Sequence, residues 1–178
     1  QDKTTCDTIT IKNCIFDNVE RAIGSHMYSA DSAGQQMYHK NIQILNNVFK
    51  NSLVDQIRSV NWWMPIITGN TFMDLAIGST NKNVKGLYFR GVVKPVIKNN
   101  TFKNLPKAFQ IYFYYEGTSK EKEAGYPPTY SIGLTDEFMK DMIPTNTFDN
   151  IGEEFIRITV DEAGTQARYD FNGDRISK

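Results

Sequence analysis

With 178 residues, 20 basic against 20 acidic side chains and a pI near 6.9, the chain suits one domain and has no electrostatic footprint for nucleic acid or an anionic membrane surface. No apolar run approaches the roughly 20 residues of a membrane span, so no membrane insertion is expected. Zinc-type His/Cys spacing, a phosphate-binding glycine loop and a nucleophile elbow are all missing. The two cysteines, Cys6 and Cys14, lack a framework spacing and are expected as free thiols.

In chain order, a β-rich run Ile9-Thr10-Ile11 leads into Asn13-Cys14-Ile15-Phe16-Asp17-Asn18-Val19 and then into apolar Ala22-Ile23. The central motif returns four times. Ile42-Gln43-Ile44 precedes Asn46-Asn47-Val48-Phe49-Lys50-Asn51-Ser52, which is followed by Ile57. Pro65-Ile66-Ile67 precedes Gly69-Asn70-Thr71-Phe72-Met73-Asp74-Leu75, followed by Ala76-Ile77. Val96-Ile97 precedes Asn99-Asn100-Thr101-Phe102-Lys103-Asn104-Leu105, followed by Ala108-Phe109-Gln110-Ile111. The last copy, Thr145-Asn146-Thr147-Phe148-Asp149-Asn150-Ile151, runs on to Phe155-Ile156-Arg157-Ile158.

The Phe-to-Phe steps are 33, 23, 30 and 46 residues, and the shortest gives the bare unit. Short apolar/polar alternation predicts strands. A unit near 20–25 residues without helical period or regular Leu spacing predicts an all-β fold, a parallel β-helix of about five coils in one domain. Stacking would set Phe16, Phe49, Phe72, Phe102 and Phe148 over one another at about 4.8 Å. The Asn or Asp two residues after each Phe is expected at a turn, with its amide bonded from coil to coil. Cys14, Asn47, Asn70, Asn100 and Asn146 form a second column of inward or turn residues.

Insertions are expected at 27–40, 80–93 and 115–142. Met27, Tyr28, Met37 and Tyr38 would fold the first back onto the coils, and Trp62-Trp63 would lie at a corner before the third coil's strand. Gly86 to Arg90 reads as a short extra strand. Thr118 to Gly125 is charged, without an apolar anchor, and is expected to be mobile and removable at little cost. Thr135 to Met142 predicts one short helix with Thr135 as N-cap. Tyr169, Phe171 and Ile176 are spaced for a final strand or cap. Because nothing before Thr8 reads as a cap, the chain is expected to be part of a longer protein.

This pattern resembles the right-handed parallel β-helix of the pectate-lyase-like superfamily, from about Thr8 to Val160. Ala22-Ile23-Gly24-Ser25-His26 with His39-Lys40-Asn41-Ile42-Gln43-Ile44 also resembles β-helix proteins of Gram-positive bacterial surfaces and prophages. The resemblance implies a secreted or cell-surface protein that deals with polysaccharides as lyase, hydrolase, epimerase, depolymerase or adhesin, without choosing among them.

The strand after each Phe motif carries the expected site. If Ile23, Ile57, Ile77, Phe109, Ile111, Ile156 and Ile158 point inward, alternation turns Gly24, His26, Arg58, Gly78, Thr80, Gln110, Tyr112, Tyr114 and Arg157 outward. Insertions leaving after this strand would wall a groove. Such a groove suits a polysaccharide, with rings against sugar faces and Arg forks on uronate carboxylates. The expected function is therefore glycan binding, with Gln110, Tyr112, Tyr114 and Arg157 as binding residues. An enzyme would be a polysaccharide lyase or glycoside hydrolase. In a lyase, His26 and Arg58 would supply a base and an enolate-stabilising charge. The strand carries no facing carboxylate pair for hydrolysis and no acidic cluster of the kind superfamily lyases use for calcium, so no cofactor is expected. A structural spacer of an adhesin or phage tail fibre is the third reading, and the oligomeric state stays open.

Overall fold

The computed structural model describes residues 5–25, 35–159 and 166–177. The fold is mostly β, and its strands, numbered in chain order, fall into three parallel sets. One contains the leading runs, β1 (Asp7–Lys12), β4 (His39–Leu45), β7 (Ile66–Thr68) and β10 (Val96–Lys98), each paired with the next. A second contains the Phe motifs, β2 (Ile15–Asp17), β5 (Val48–Lys50), β8 (Thr71–Met73), β11 (Thr101–Leu105) and β15 (Thr147–Ile151), side by side in one five-stranded sheet. The third contains β3 (Ile23–Gly24), β6 (Ile57–Trp63), β9 (Lys85–Val93), β12 (Lys107–Tyr112) and β16 (Ile156–Thr159). Pairing of His39 with Trp62 and Lys40 with Trp63 joins the first and third sets into one sheet.

Left-handed residues make the turns on both sides of the Phe strand. Asn13, Asn46 and Asn99 precede it at φ 54–57°, and Gly69 takes the equivalent place at φ 70°. A Cβ on Gly69 would lie 2.2 Å from the Asn46 Oδ1, so this member of the column has no room for a side chain. Asn18, Asn51, Asp74, Asn104 and Asn150 follow it at φ 52–58°. The period of the sequence is thus converted into parallel register by short side chains that tolerate this backbone and bond locally.

The core lies between the sets. Phe16, Phe49, Phe72, Phe102 and Phe148 occupy equivalent register positions, with centroids 4.9, 4.7, 5.1 and 5.5 Å apart and planes within 8°. Phe171 adds a sixth ring, 4.1 Å from Phe148. Against this stack pack Ile57, Leu87, Phe109 and Ile156, then Phe89, Ile111 and Ile158, all buried.

The buried amide ladder is the column two residues before Phe, not the one after it. Asn47 donates through its backbone N–H and Nδ2 to the Asn70 Oδ1, at 2.9 and 3.0 Å. Asn70 does the same to Asn100, and Asn100 to Asn146. Cys14 joins only by its N–H, to the Asn47 Oδ1, and both cysteines are free. The column after Phe carries a more exposed chain of bonds, Asn51 to Asp17, Asn104 to Asp74 and Asn150 to Asn104. In the second, third and fourth units the residue after left-handed Asn46, Gly69 or Asn99 turns inward, whereas Asn46 and Asn99 themselves are exposed.

Expectations about the third unit and the tryptophan pair need correction. Ile77 is 65 % exposed and belongs to a turn, so Gly78 and Thr80 are not on the third sheet set. The third unit's strand is β9, the segment expected as an extra strand, and the insertion comes before it rather than after it. Trp62 and Trp63 end β6 instead of marking a corner ahead of the next strand.

Thr118 to Gly125 contains a helix, α1 (Ser119–Glu123), with a complete Thr118–Glu121 capping box. Hairpin β13 (Tyr114–Tyr115) and β14 (Thr129–Tyr130) flanks it. Helix α2 (Asp136–Met142) forms where expected, with Thr135 accepting from the Phe138 N–H at 3.2 Å. A 3-10 turn over Ile143–Thr145 then leads into the last Phe strand. β17 (Gln166–Tyr169) and β18 (Arg175–Ser177) pair antiparallel and end the parallel stacking. Among the described residues no helix is long and apolar enough to cross a membrane.

Candidate functional site

Parallel register sets Arg58, Tyr88, Gln110 and Arg157 side by side across β6, β9, β12 and β16. Their neighbours Ile57, Leu87, Phe109 and Ile156 are buried, which turns this row outward. One residue pair further along, Val60, Arg90, Tyr112 and Thr159 form the next row on this side of the strands, and of these Tyr112 is half-buried while Val60, Arg90 and Thr159 are buried. The extra residue between Phe49 and Ile57 is taken up before the strand, so Ile57 pairs with Ile23 and Arg58 keeps its outward place.

Tyr88 is the centre of the face. The guanidinium of Arg58, the ammonium of Lys85 and the guanidinium of Arg90 lie 5.6, 4.7 and 5.2 Å from its ring centroid. Its ring meets Tyr112 edge-on at 5.6 Å, and Tyr112 meets Tyr115 at 5.2 Å. Burial, followed by the neighbouring Tyr112, pushes the Tyr88 phenol well above its usual range, so it stays neutral. Burial likewise lowers the Lys85 ammonium, against the opposing pull of Asp55 at 3.6 Å.

Two carboxylates organise the ends of the face. Glu121 on α1 pairs with Arg90 at 3.3 Å and accepts from the Tyr115 hydroxyl at 3.2 Å. Segment 118–125 is therefore docked, and Glu121 is what holds it. Glu153 pairs with Lys107 at 3.0 Å and accepts two bonds from Arg157, at 3.2 and 3.0 Å. Arg157 also donates to the Gln166 Oε1 and lies with Arg168 against the Phe155 ring. Arg58 and Arg168 have no carboxylate partner among the described residues. The Arg58 Nε is buried and finds no acceptor there.

The structure thus brings together Arg58, Gln110, Tyr112 and Arg157. Tyr114 is separate: the sheet ends at Tyr112, and Tyr114 pairs with Tyr130 in the β13–β14 hairpin, ring against ring at 5.1 Å. His26 lies outside the described residues. Lys85, Tyr88 and Arg90 escape a reading that places the third strand at Ala76-Ile77. The alternation Leu87-Tyr88-Phe89-Arg90 was the signal that could have found them.

Chemically the face offers fixed cations and aromatic edges, with the Gln110 amide buried among them. Asp55, Glu121 and Glu153 are all ion-paired, and the last two are held ionised, which is the wrong state for a general acid. No group of three or more His, Cys, Asp or Glu among the described residues could hold a metal ion.

Burial raises the Glu153 pKa, but bonds and charge from Arg157 and Lys107 outweigh it and leave the group below its ordinary 4.5. A depressed carboxylate stabilises the fold above its unfolded pKa and loses that contribution as pH falls through the folded one. Thermal melts should therefore lose stability below about pH 4.5, and Glu153→Gln should flatten that part of the pH profile. An unchanged acid limb in the variant would place the acid sensitivity elsewhere.

Comparison with protein families, curated proteins and solved structures found no match.

Proposed function

We propose that this chain is a right-handed parallel β-helix solenoid of the pectate-lyase-like kind, working outside the cell as a module that binds an acidic polysaccharide along β6, β9, β12 and β16. Three parallel strand sets joined by left-handed turns support the solenoid reading. The observation that carries the function is the charge on this face. Among the described residues, Arg58, Lys85, Arg90, Lys107, Arg157 and Arg168 are accompanied by the ion-paired carboxylates Asp55, Glu121 and Glu153, six positive charges against three, on a chain whose formal net charge is +0. A row of strands spaced at about 4.8 Å repeats its side chains at intervals suited to an extended polymer. Arg58 and Arg168 have guanidinium capacity for uronate carboxylates, and Tyr88 and Tyr112 present ring surface and hydroxyls. Binding without turnover fits a face whose carboxylates are all neutralised by cations.

Calorimetric titration with matched acidic and neutral oligosaccharides tests the reading. Uronate oligomers should bind, and Arg58→Ala and Tyr112→Ala should each weaken binding by about 1–3 kcal/mol with little change in melting temperature. Affinity that survives both substitutions would remove the site from this face. Appearance of the ultraviolet absorbance of an unsaturated uronate would replace binding with lyase chemistry.

A further inference from the structure

A second concavity lies at the corner between the Phe sheet and the cationic face. From Phe16 to Ile23 and from Phe102 to Phe109 the chain takes seven residues, but from Phe72 to the equivalent Leu87 it takes fifteen. The eight extra residues make a loop over 76–83. It begins at Ala76, which is left-handed at φ 58° and held by its N–H to the Ser52 carbonyl at 2.6 Å. Alanine has no side-chain polar group to favour that conformation, so packing of the loop imposes it. The loop and the corresponding turns of the next two units line a cleft of about 800 Å³, within the size range of small-molecule sites.

The lining has a distinct chemistry. Leu75, Ile77, Leu105 and Pro106 make it aliphatic, and none of the lining residues is aromatic. Ile77 is 65 % exposed here, although isolated exposed apolar residues are ordinary elsewhere on a surface. Beside them stand the amides of Asn83, Asn104 and Asn150. The Asn104 amide is fixed, donating to Asp74 at 2.8 Å and accepting from Asn150 at 2.9 Å. The Lys107–Glu153 pair closes the side nearest Arg157. An aliphatic wall next to oriented amides matches a group that is itself a methyl joined to an amide.

We propose that this cleft binds an N-acetylated amino sugar, with the acetyl methyl against Ile77 and Pro106 and the acetamido N–H and C=O among the asparagine amides. Choosing a sugar rests on the glycan reading above, whereas the cleft's preference for a methyl-bearing amide does not. Glu153, shared between Lys107 and Arg157, makes the cleft continuous with the cationic face, so a polymer carrying both uronate and N-acetyl amino sugar residues would fill both.

Saturation-transfer NMR with the full 178-residue chain and the neutral disaccharide of N-acetylglucosamine tests the cleft alone, with cellobiose as the control lacking acetamido groups. The acetyl methyl signals should receive the strongest saturation, and cellobiose should receive little. Ile77→Asp and Thr80→Trp, both on the loop that lines the cleft, should weaken binding about tenfold or more, while Arg58→Ala leaves it unchanged. Equal binding of cellobiose, no binding of the acetylated disaccharide, or full affinity in both cleft variants would overturn the proposal. If the disaccharide binds as expected while uronate oligomers ignore Arg58, the cleft stands and the cationic-face reading fails. If uronate binding depends on Arg58 while the disaccharide does not bind, the cationic face stands and the cleft proposal fails.

Discussion

Phe102→Ala should destabilise the fold by about 3–5 kcal/mol, the usual loss for truncating a buried Phe. Phe102 is fully buried in the middle of the ring column, with Phe72 at 5.1 Å on one side and Phe148 at 5.5 Å on the other. Phe109 tilts against it from the third sheet set at 5.9 Å. Gly86 also limits repacking: a Cβ there would already lie 3.1 Å from the Phe102 and Phe72 rings, so the strand packs close against the stack. Truncation would leave a cavity bounded by parallel-paired backbone that cannot close without breaking register. Phe16→Ala is the matched control, because Phe16 is only half-buried and has a ring neighbour in the stack only at Phe49, at 4.9 Å. Urea unfolding should show a clearly smaller loss for Phe16→Ala. Equal losses at the two positions would mean that the stack is not the core.

Most of this architecture was legible because the Phe motif is short, local and repeated. A β-branched residue before Phe and a turn-forming Asn or Asp after it specify strand and turn without knowledge of the rest of the chain. Ile156 rather than Phe155 could be chosen for the core because it places Ile158 inside with it, and both are buried. Sequence reading failed where a fixed offset from Phe was assumed. The third unit delays its strand by eight residues, and Ala76-Ile77 occupies the expected position with a turn. Longer alternation in Leu87 to Arg90 outweighed that offset, and with it came the tyrosine at the centre of the cationic face. The docking of α1 was not legible, because a charged segment that reads as solvated is anchored through Glu121 to the Tyr115 hydroxyl and to Arg90, 31 residues away. The two asparagine columns were visible, but which one is buried depends on the direction of a side chain after a left-handed residue. Composition does not encode that direction.

Asn100→Leu should cost about 3 kcal/mol or more, although it replaces a polar residue in the core with an apolar one of similar size. Asn100 is 1 % exposed, and its side chain is bonded on every polar atom. Its N–H and Nδ2 donate to the Asn146 Oδ1, and Nδ2 also reaches the carbonyls of Ile67 and Lys98, at 2.9 and 3.1 Å. Its Oδ1 accepts from the Asn70 N–H and Nδ2, at 2.9 and 3.0 Å. Removal orphans a buried backbone donor on one neighbouring unit and leaves the Ile67 carbonyl without this partner, and each unsatisfied buried group costs about 1–3 kcal/mol. Neighbouring amides cannot compensate, since Asn70 and Asn146 are also committed to their own carbonyls. Asn104→Ala separates this account from a general asparagine effect. Asn104 lies in the outer column, is only half-buried, and has an amide that solvent can replace, so its loss should be well under that of Asn100. Hydrogen exchange gives the local readout: in Asn100→Leu the Asn70 amide should lose protection while the Phe strands on either side keep theirs. If Asn100→Leu proved as stable as the parent, the ladder would be a consequence of the stacking and not one of its causes.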